Sequence, residues 1–272
     1  MTTITSKGNP RIKQARALLT QRKERDASGL FVVEGIRHVG EACTANAKIE
    51  YLVYSPTRLT SEFAQSLIQE QEQLGVDCLA VSEQVFSTLA EKDNPAGLLA
   101  VVRQAHLGLE DLSPASFQRG VALVAPQDPG NIGSILRSMD ATGASGLLLL
   151  DDPSHEQYSA DPYHPSAVRA SMGALFWLPL VRSDFAAFRV WIQAQAFTLY
   201  GTSAHAELDY CRVAGYQHPL ILLMGSERQG LFPDQAAVCD VVVKLPMLGR
   251  VTSLNLATAT GIMLYKILEK PA

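Results

Sequence analysis

The sequence has little that would mark a secreted, membrane-spanning or metal-dependent protein. Its apolar runs, Gly146–Leu150 among them, are strand-sized and fall well short of the ~20 residues a membrane helix needs. The opening Met1-Thr2-Thr3-Ile4-Thr5-Ser6-Lys7 holds no apolar core of signal-peptide length, so a cytoplasmic protein is expected. The four cysteines (Cys43, Cys78, Cys211, Cys239) lie far apart with no C-x-x-C pair, which argues for free thiols and against a zinc site or disulfide framework. The six histidines are equally scattered, and no metal is expected. Neither G-x-G-x-x-G nor a G-K-[ST] ending is present, which weighs against a Rossmann-type nucleotide site. Without G-x-S-x-G there is no serine-hydrolase elbow.

What is present is a globular composition of 272 residues, 47% hydrophobic and 18% charged, enough for one large domain or two ordinary ones. The net charge of −4 hides an uneven distribution. Residues 1–25 carry seven basic side chains (Lys7, Arg11, Lys13, Arg16, Arg22, Lys23, Arg25) against one acid, Glu24. Residues 1–105 as a whole are balanced at 12 basic and 12 acidic, so any contact with a polyanion must depend on a patch.

Hydrophobic periodicity predicts strands alternating with helices, the pattern of an α/β fold. A basic helix is expected over 9–25, opening on Asn9-Pro10, a cap residue and a proline suited to the first turn. Strands follow at 31–34, 49–54, 78–81 and 98–102, with helices at 36–45, 61–74 and 82–89, making a small domain over 1–105. Residues 106–118 read as a linker. A second domain, 119–272, opens on Val121-Ala122-Leu123-Val124-Ala125, an unbroken apolar strand typical of a parallel sheet. Further strands are expected at 147–150, 176–180, 197–200, 220–224 and 241–245. The helices between them fall at 132–141, 165–171, 184–194 and 233–239, with a last one at 256–269.

Polar residues gather where three of these strands end. After the first comes Pro126-Gln127-Asp128-Pro129-Gly130-Asn131, with Arg137 six residues beyond Asn131 and expected to share its helical face. Leu220–Met224 empties into Gly225-Ser226-Glu227-Arg228-Gln229-Gly230-Leu231. Lys244-Leu245-Pro246-Met247 leads to Ser253-Leu254-Asn255 at the start of the last helix. Loops at strand ends are the usual ligand site of an α/β sheet. Singly, Asn131 and Asn255 read as helix caps and Arg137 as a surface charge; the combination is far more specific.

In order and spacing these three stretches resemble the motifs of the SpoU/TrmH family, a branch of the SPOUT methyltransferases. Arg169-Ala170-Ser171-Met172-Gly173-Ala174-Leu175-Phe176, leading to Leu178-Pro179, matches the segment between its first two motifs. The likeness covers 120–272 almost throughout. Asn9-Pro10-x-Ile12-Lys13, Phe31-x-Val33-Glu34-Gly35 and Pro95-x-Gly97 resemble the substrate-binding domain of many members, similar in kind to the L30e ribosomal-protein fold.

That resemblance implies a mostly parallel sheet with a deep trefoil knot, homodimers, and transfer of a methyl group from S-adenosylmethionine to the 2′-hydroxyl of a ribose in RNA, ribosomal first and transfer RNA second. It implies that Thr202, Ser203, Gly225, Leu245, Met247 and Leu254 hold the cofactor, largely through main-chain groups. Asn131, Arg137, Glu227, Ser253 and Asn255 are then the expected catalytic set, and Lys7, Arg11, Lys13 and Arg16 the expected RNA contacts. Two other classes compete: an RNA-binding protein that kept the fold without activity, opposed by the intact set, and a Rossmann-type small-molecule methyltransferase, opposed by the missing Gly-rich loop.

Overall fold

The computed structural model describes residues 3–90, 96–105 and 107–270. In chain order the elements are α1 (Pro10–Thr20), α2 (Arg22–Ser28), β1 (Leu30–Glu34), α3 (Ile36–Thr44), β2 (Ile49–Tyr54), α4 (Glu62–Gln73), β3 (Asp77–Ala80), α5 (Glu83–Phe86) and β4 (Leu98–Arg103). Then come β5 (Arg119–Val124), α6 (Pro129–Thr142), β6 (Gly146–Asp151), α7 (Pro165–Ala170), α8 (Ala174–Trp177), β7 (Leu180–Asp184) and α9 (Phe185–Gln193). The chain ends with β8 (Thr198–Thr202), β9 (Leu208–Asp209), β10 (Leu220–Met224), α10 (Pro233–Ala236), β11 (Val241–Lys244) and α11 (Leu256–Glu269).

Two compact units form, one of Met1–Gln104 with Asp161–Phe176, the other of Ala105–Ala160 with Trp177–Ala272. The domains expected at 1–105 and 119–272 are each one continuous stretch; residues 161–176 instead pack with the first unit. Pro95 of the expected Pro95-x-Gly97 pattern lies outside the described residues.

In the first unit a four-stranded sheet runs β1-β4-β2-β3, antiparallel except for β2 with β3. Ile12, Ala15, Leu18 and Leu19 of α1 seal one face over Val32, Tyr51, Val53 and Val101. The expected single helix over 9–25 is two: Gln21 is extended (φ −124, ψ 113) between α1 and α2. The break has a cause. Arg25 is only 2% exposed, and its guanidinium donates to the Leu18 and Leu19 carbonyls at the end of α1 and to Asp161 at 2.6 Å. It thus satisfies carbonyls that a helix end leaves without partners. Tyr163 N–H donates to the same carboxylate at 2.9 Å. Arg25 therefore leaves the set of solvated charges counted in the sequence.

The second unit has a seven-stranded sheet, β7-β6-β5-β10-β8-β11-β9, with every described pairing parallel. Strands β5, β6 and β10 are buried almost end to end, as their unbroken apolar runs require. The presumed linker is structured: Leu109, Leu112 and Phe117 enter the core beside Ala122, Leu148 and Phe197. The strand expected at 176–180 begins only at Leu180, preceded by helical α8. Pro179 has no N–H for a ladder and serves through its carbonyl, which accepts from Leu147 N–H at 2.9 Å. Helix α6 starts three residues earlier than expected, at Pro129, because Asp128 caps it by accepting from Gly130 N–H at 2.7 Å. Among the described residues no helix is long and apolar enough to cross a membrane.

Candidate active site

The C-terminal ends of β8, β10 and β11 carry three loops of the second unit to one cavity, which the stretch after β5 does not line. Its volume is about 370 Å³, and Thr202, Ser203, Gly225, Leu245, Met247 and Leu254, all six of the expected cofactor residues, line it. Glu227 and Ser253 line it as well. Gln229, Thr252 and Ala259, absent from the expected set, also face this space; Ala259 sits a turn into α11, where nothing in its pattern separates it from core helix.

Glycine is required at one point of the wall. A Cβ on Gly225 would come within 2.0 Å of the Gly230 carbonyl carbon and 2.3 Å of Leu231 N. The loop folds back tightly there, with Gly230 N–H donating to Ser226 O at 2.9 Å.

Glu227 ties the stretch after β5 to its own loop and, through Asn131, to the start of α11. One carboxylate oxygen accepts from Gln127 N–H at 2.9 Å; the other accepts from Asn131 Nδ2 at 3.0 Å and, more weakly, from Asp128 N–H at 3.4 Å. Asn131 Oδ1 in turn accepts from Asn255 Nδ2 at 2.8 Å. Asn255 Oδ1 caps α11, accepting from Ala257 N–H (2.9 Å) and Thr258 N–H (3.2 Å). Each side-chain amide thus has a fixed orientation: donor toward the carboxylate, acceptor toward the next amide or the helix end. Two residues before the first of these backbone donors, directly after β5, buried Ala125 adopts φ +46, a strained conformation for a residue with a Cβ.

Asn131 and Asn255 also border a second, open groove of about 1010 Å³ along α6 and α11, with Ser134, Ser138, Ile262 and Tyr265. Arg137 is exposed on α6 and lines neither space. The expectation that it shares a face with Asn131 is corrected. Six residues are one and two-thirds helical turns, which rotates the side chain roughly 120° away. The structure therefore brings Asn131, Glu227, Ser253 and Asn255 together and leaves Arg137 exposed outside both spaces.

The expected RNA contacts divide. Lys7 and Lys13 are exposed. Arg11 lies over the Tyr51 ring at 4.8 Å and within 3.7 Å of Asp77, and Arg16 donates to Thr88 Oγ1 at 2.8 Å.

A parallel sheet whose strand ends close a glycine-walled cavity beside a Glu–Asn–Asn relay defines a ligand-binding α/β enzyme domain, and comparison with known proteins says which kind. The SpoU rRNA Methylase family model matches residues 118–265, and the MRM3-like substrate binding domain model matches residues 9–100. The chain belongs to the SpoU rRNA methylase family. It is 33% identical to a 23S rRNA (uridine(2479)-2′-O)-methyltransferase of Streptomyces viridochromogenes, over 98% of this chain and 92% of that protein. It is 29% identical to the 23S rRNA (guanosine(2553)-2′-O)-methyltransferase RlmP of Bacillus subtilis, over 98% and 99% of the two chains. Among solved structures it resembles an AdoMet-bound rRNA methyltransferase from Sinorhizobium meliloti, with a TM-score of 0.88 and 35% identity over 98% of this chain and 97% of that one.

Proposed function

We propose that this protein transfers a methyl group from S-adenosylmethionine to the 2′-hydroxyl of a ribose in RNA, with ribosomal RNA the first substrate class and transfer RNA the second. The observation that carries this reading is the Glu227–Asn131–Asn255 relay, whose carboxylate end lines the same cavity as Ser253 and the six cofactor positions.

The cavity suits the cofactor chemically. Leu245, Met247 and Leu254 offer apolar surface for a purine, and Thr202, Ser203 and the Gly225 turn offer hydroxyl and main-chain groups for the polar parts. S-adenosylmethionine supplies an already activated methyl, so the protein's work is alignment of the acceptor and stabilisation of charge on its oxygen. Glu227 and Asn131 orient the sugar, while Ser253 and Asn255 complete the pocket by hydrogen bonding. Arg137 is exposed on α6 and lines neither space, so its role, clamping a phosphate and stabilising the developing alkoxide, is exercised across the dimer, on the site of the other copy. A guanidinium with a pKa above ~12 is a poor base, so the proton leaves to water or a neighbouring group.

The first unit delivers the RNA, with exposed Lys7 and Lys13 as its phosphate contacts and Arg11 and Arg16 beside them. In this reading the protein works as a cytoplasmic homodimer joined along α6 and α11, where Tyr265 (57% exposed) and Leu268 (45%) leave apolar surface uncovered. The further expectations, a trefoil knot in the second unit and an L30e-like fold in the first, belong to the same proposal. Placement of β8 between β10 and β11, with α11 returning to α6, supports the knot.

The test is methyl transfer from labelled S-adenosylmethionine to ribosomal RNA of cells lacking the protein, with mapping of 2′-O-methyl sites. One ribose gained in vitro and missing in those cells is expected. An unchanged map and no incorporation would sink the proposal.

A further inference from the structure

The loop that carries Glu227 is gripped at both ends by one tight turn on the neighbouring chain segment. Residues 152–157 close on themselves, Asp152 N–H donating to Gln157 O at 2.8 Å and Gln157 N–H to Asp152 O at 2.9 Å. At the loop's start, Gln157 Nε2 donates to Ser226 Oγ at 3.4 Å. At its end, Gln235 spans the gap: Nε2 donates to Asp152 Oδ2 at 2.6 Å, and Oε1 accepts from Phe232 N–H at 2.9 Å. The His155 ring stacks on Phe232 with centroids 4.0 Å apart and planes 9° apart, and its Nδ1 lies 2.8 Å from Asp152 Oδ2.

The burial of this cluster is out of proportion to a surface turn. Gln235 is 0% exposed and Asp152 3%. Burial alone would raise the Asp152 carboxyl, yet hydrogen bonds from Ser154, His155 and Gln235 hold it below its usual range. A buried carboxylate with this many donors is costly to loosen, since each lost bond leaves a polar group without water or partner. The catalytic set uses none of these residues. Their bonds lead to Ser226 and Phe232, the two anchors of the segment that lines the cavity and presents Glu227.

We propose that Asp152 and Gln235 are positioning residues for the methyl-transfer site: they latch the 226–232 loop in the form that takes the cofactor and aims Glu227 at Asn131. This rests on reading the 225–231 loop as a cofactor wall. They touch no reacting group and act through the Phe232 backbone.

The test uses the full chain with S-adenosylhomocysteine as probe, and hydrogen–deuterium exchange of peptides spanning 226–231. Gln235→Leu, close in volume and unable to bridge, should speed exchange in that loop and weaken the probe about tenfold or more, the scale of a lost bond to a buried carboxylate. Asp152→Asn combined with Gln235→Glu reverses the bond's polarity: the new amide donates, and the new carboxylate accepts from it and from Phe232 N–H. This pair should restore both readings. Loop exchange as slow in Gln235→Leu as in the parent overturns the proposal, and so does an exchange pair no better than Gln235→Leu. If Gln235→Leu does not fold, Asp152→Asn alone, nearly isosteric, is judged by the same two readings. A separate variant tests the cavity itself: Leu254→Trp fills it and should abolish probe binding. Retained binding there would refute the cofactor wall while leaving the latch to be judged by exchange.

Discussion

Asn255 donates its side-chain amide to Asn131 at 2.8 Å, although 124 residues separate them. The bond couples the first turn of α6 to the cap of α11, and Asn131 passes the constraint on to Glu227. Replacing the middle member should therefore cost more than replacing either end. In Asn131→Ala, Glu227 keeps its backbone donors but loses its side-chain donor. Turnover is expected to fall on the order of 10²-fold, with cofactor affinity changed only a few-fold, because Asn131 does not line the cavity proposed to hold the cofactor. Single-turnover methylation and calorimetry measure the two effects. Equal losses in both would mean that Asn131 serves the cavity's structure and not the acceptor.

Arg137 stands apart from this relay and should behave differently. Arg137→Ala should abolish methyl transfer while leaving S-adenosylmethionine binding intact. Arg137→Lys should recover little, since a point charge cannot replace the planar fork on a phosphate. The measurement is turnover with saturating cofactor; retained turnover in Arg137→Ala would remove the residue from the mechanism.

Gly225 gives a steric prediction. Its missing Cβ leaves room for the Gly230–Leu231 backbone, which a methyl group would meet at 2.0–2.3 Å. Backbone cannot rotate aside as a side chain can. Gly225→Ala should destabilise the second unit by about 1–3 kcal/mol and abolish cofactor binding. Denaturant unfolding followed by ligand titration would check both; an unperturbed cofactor Kd would show that the loop has another closed form.

That these polar stretches converge in space was legible in the sequence, but their wiring was not. Asn131, Glu227, Ser253 and Asn255 stand out because each lies in the polar stretch that follows an apolar strand. Which amide faces which depends on the angle at which α6 and α11 cross, and periodicity carries no such information. The face shared by Asn131 and Arg137 was misjudged on helix rotation alone. Arg25 was invisible for another reason: within a basic run it looks like one more solvated charge, and its partner lies 136 residues away. The two-residue strand β9 is too short for any alternation to register.

The cysteines allow a prediction in pH. Burial, with a smaller push from nearby acids, raises Cys43 to about 11 and Cys78 and Cys239 to about 12. Raised values keep the thiols neutral in the fold, so the reactive thiolate is suppressed through neutral pH. Iodoacetamide at pH 8 should label exposed Cys211 first, with the other three reacting only after unfolding. The sign for stability follows. An unfolded thiol ionises near ~8.5, so stability is full below that value and declines as pH rises toward 11–12. Peptide mass spectrometry reads the labelling; early modification of Cys239 would contradict its half-buried setting and raised thiol.

The buried pair in the first unit tests whether residues 161–176 are part of that unit in energy as well as in space. Arg25 and Asp161 are 2% and 4% exposed and 2.6 Å apart. Arg25 also holds the α1 carbonyls, and Asp161 the Tyr163 N–H. Removing one partner leaves the other charged, buried and unpaired. Asp161→Ala is therefore expected to cost about 3–5 kcal/mol, and Arg25→Met a comparable amount. The double variant Arg25→Met with Asp161→Leu replaces the pair by apolar volume and should be less destabilised than either single one. The same reasoning applies to a fragment ending at residue 105. It would strand Arg25 and uncover Phe31, whose ring packs 4.7 Å from Tyr163 and 6.2 Å from Phe176 between centroids. Such a fragment should lack a cooperative unfolding transition, and adding a peptide of residues 158–178 should restore one. A fragment that unfolds cooperatively alone would show that the first unit is complete without the borrowed segment, and that the ion pair only decorates it.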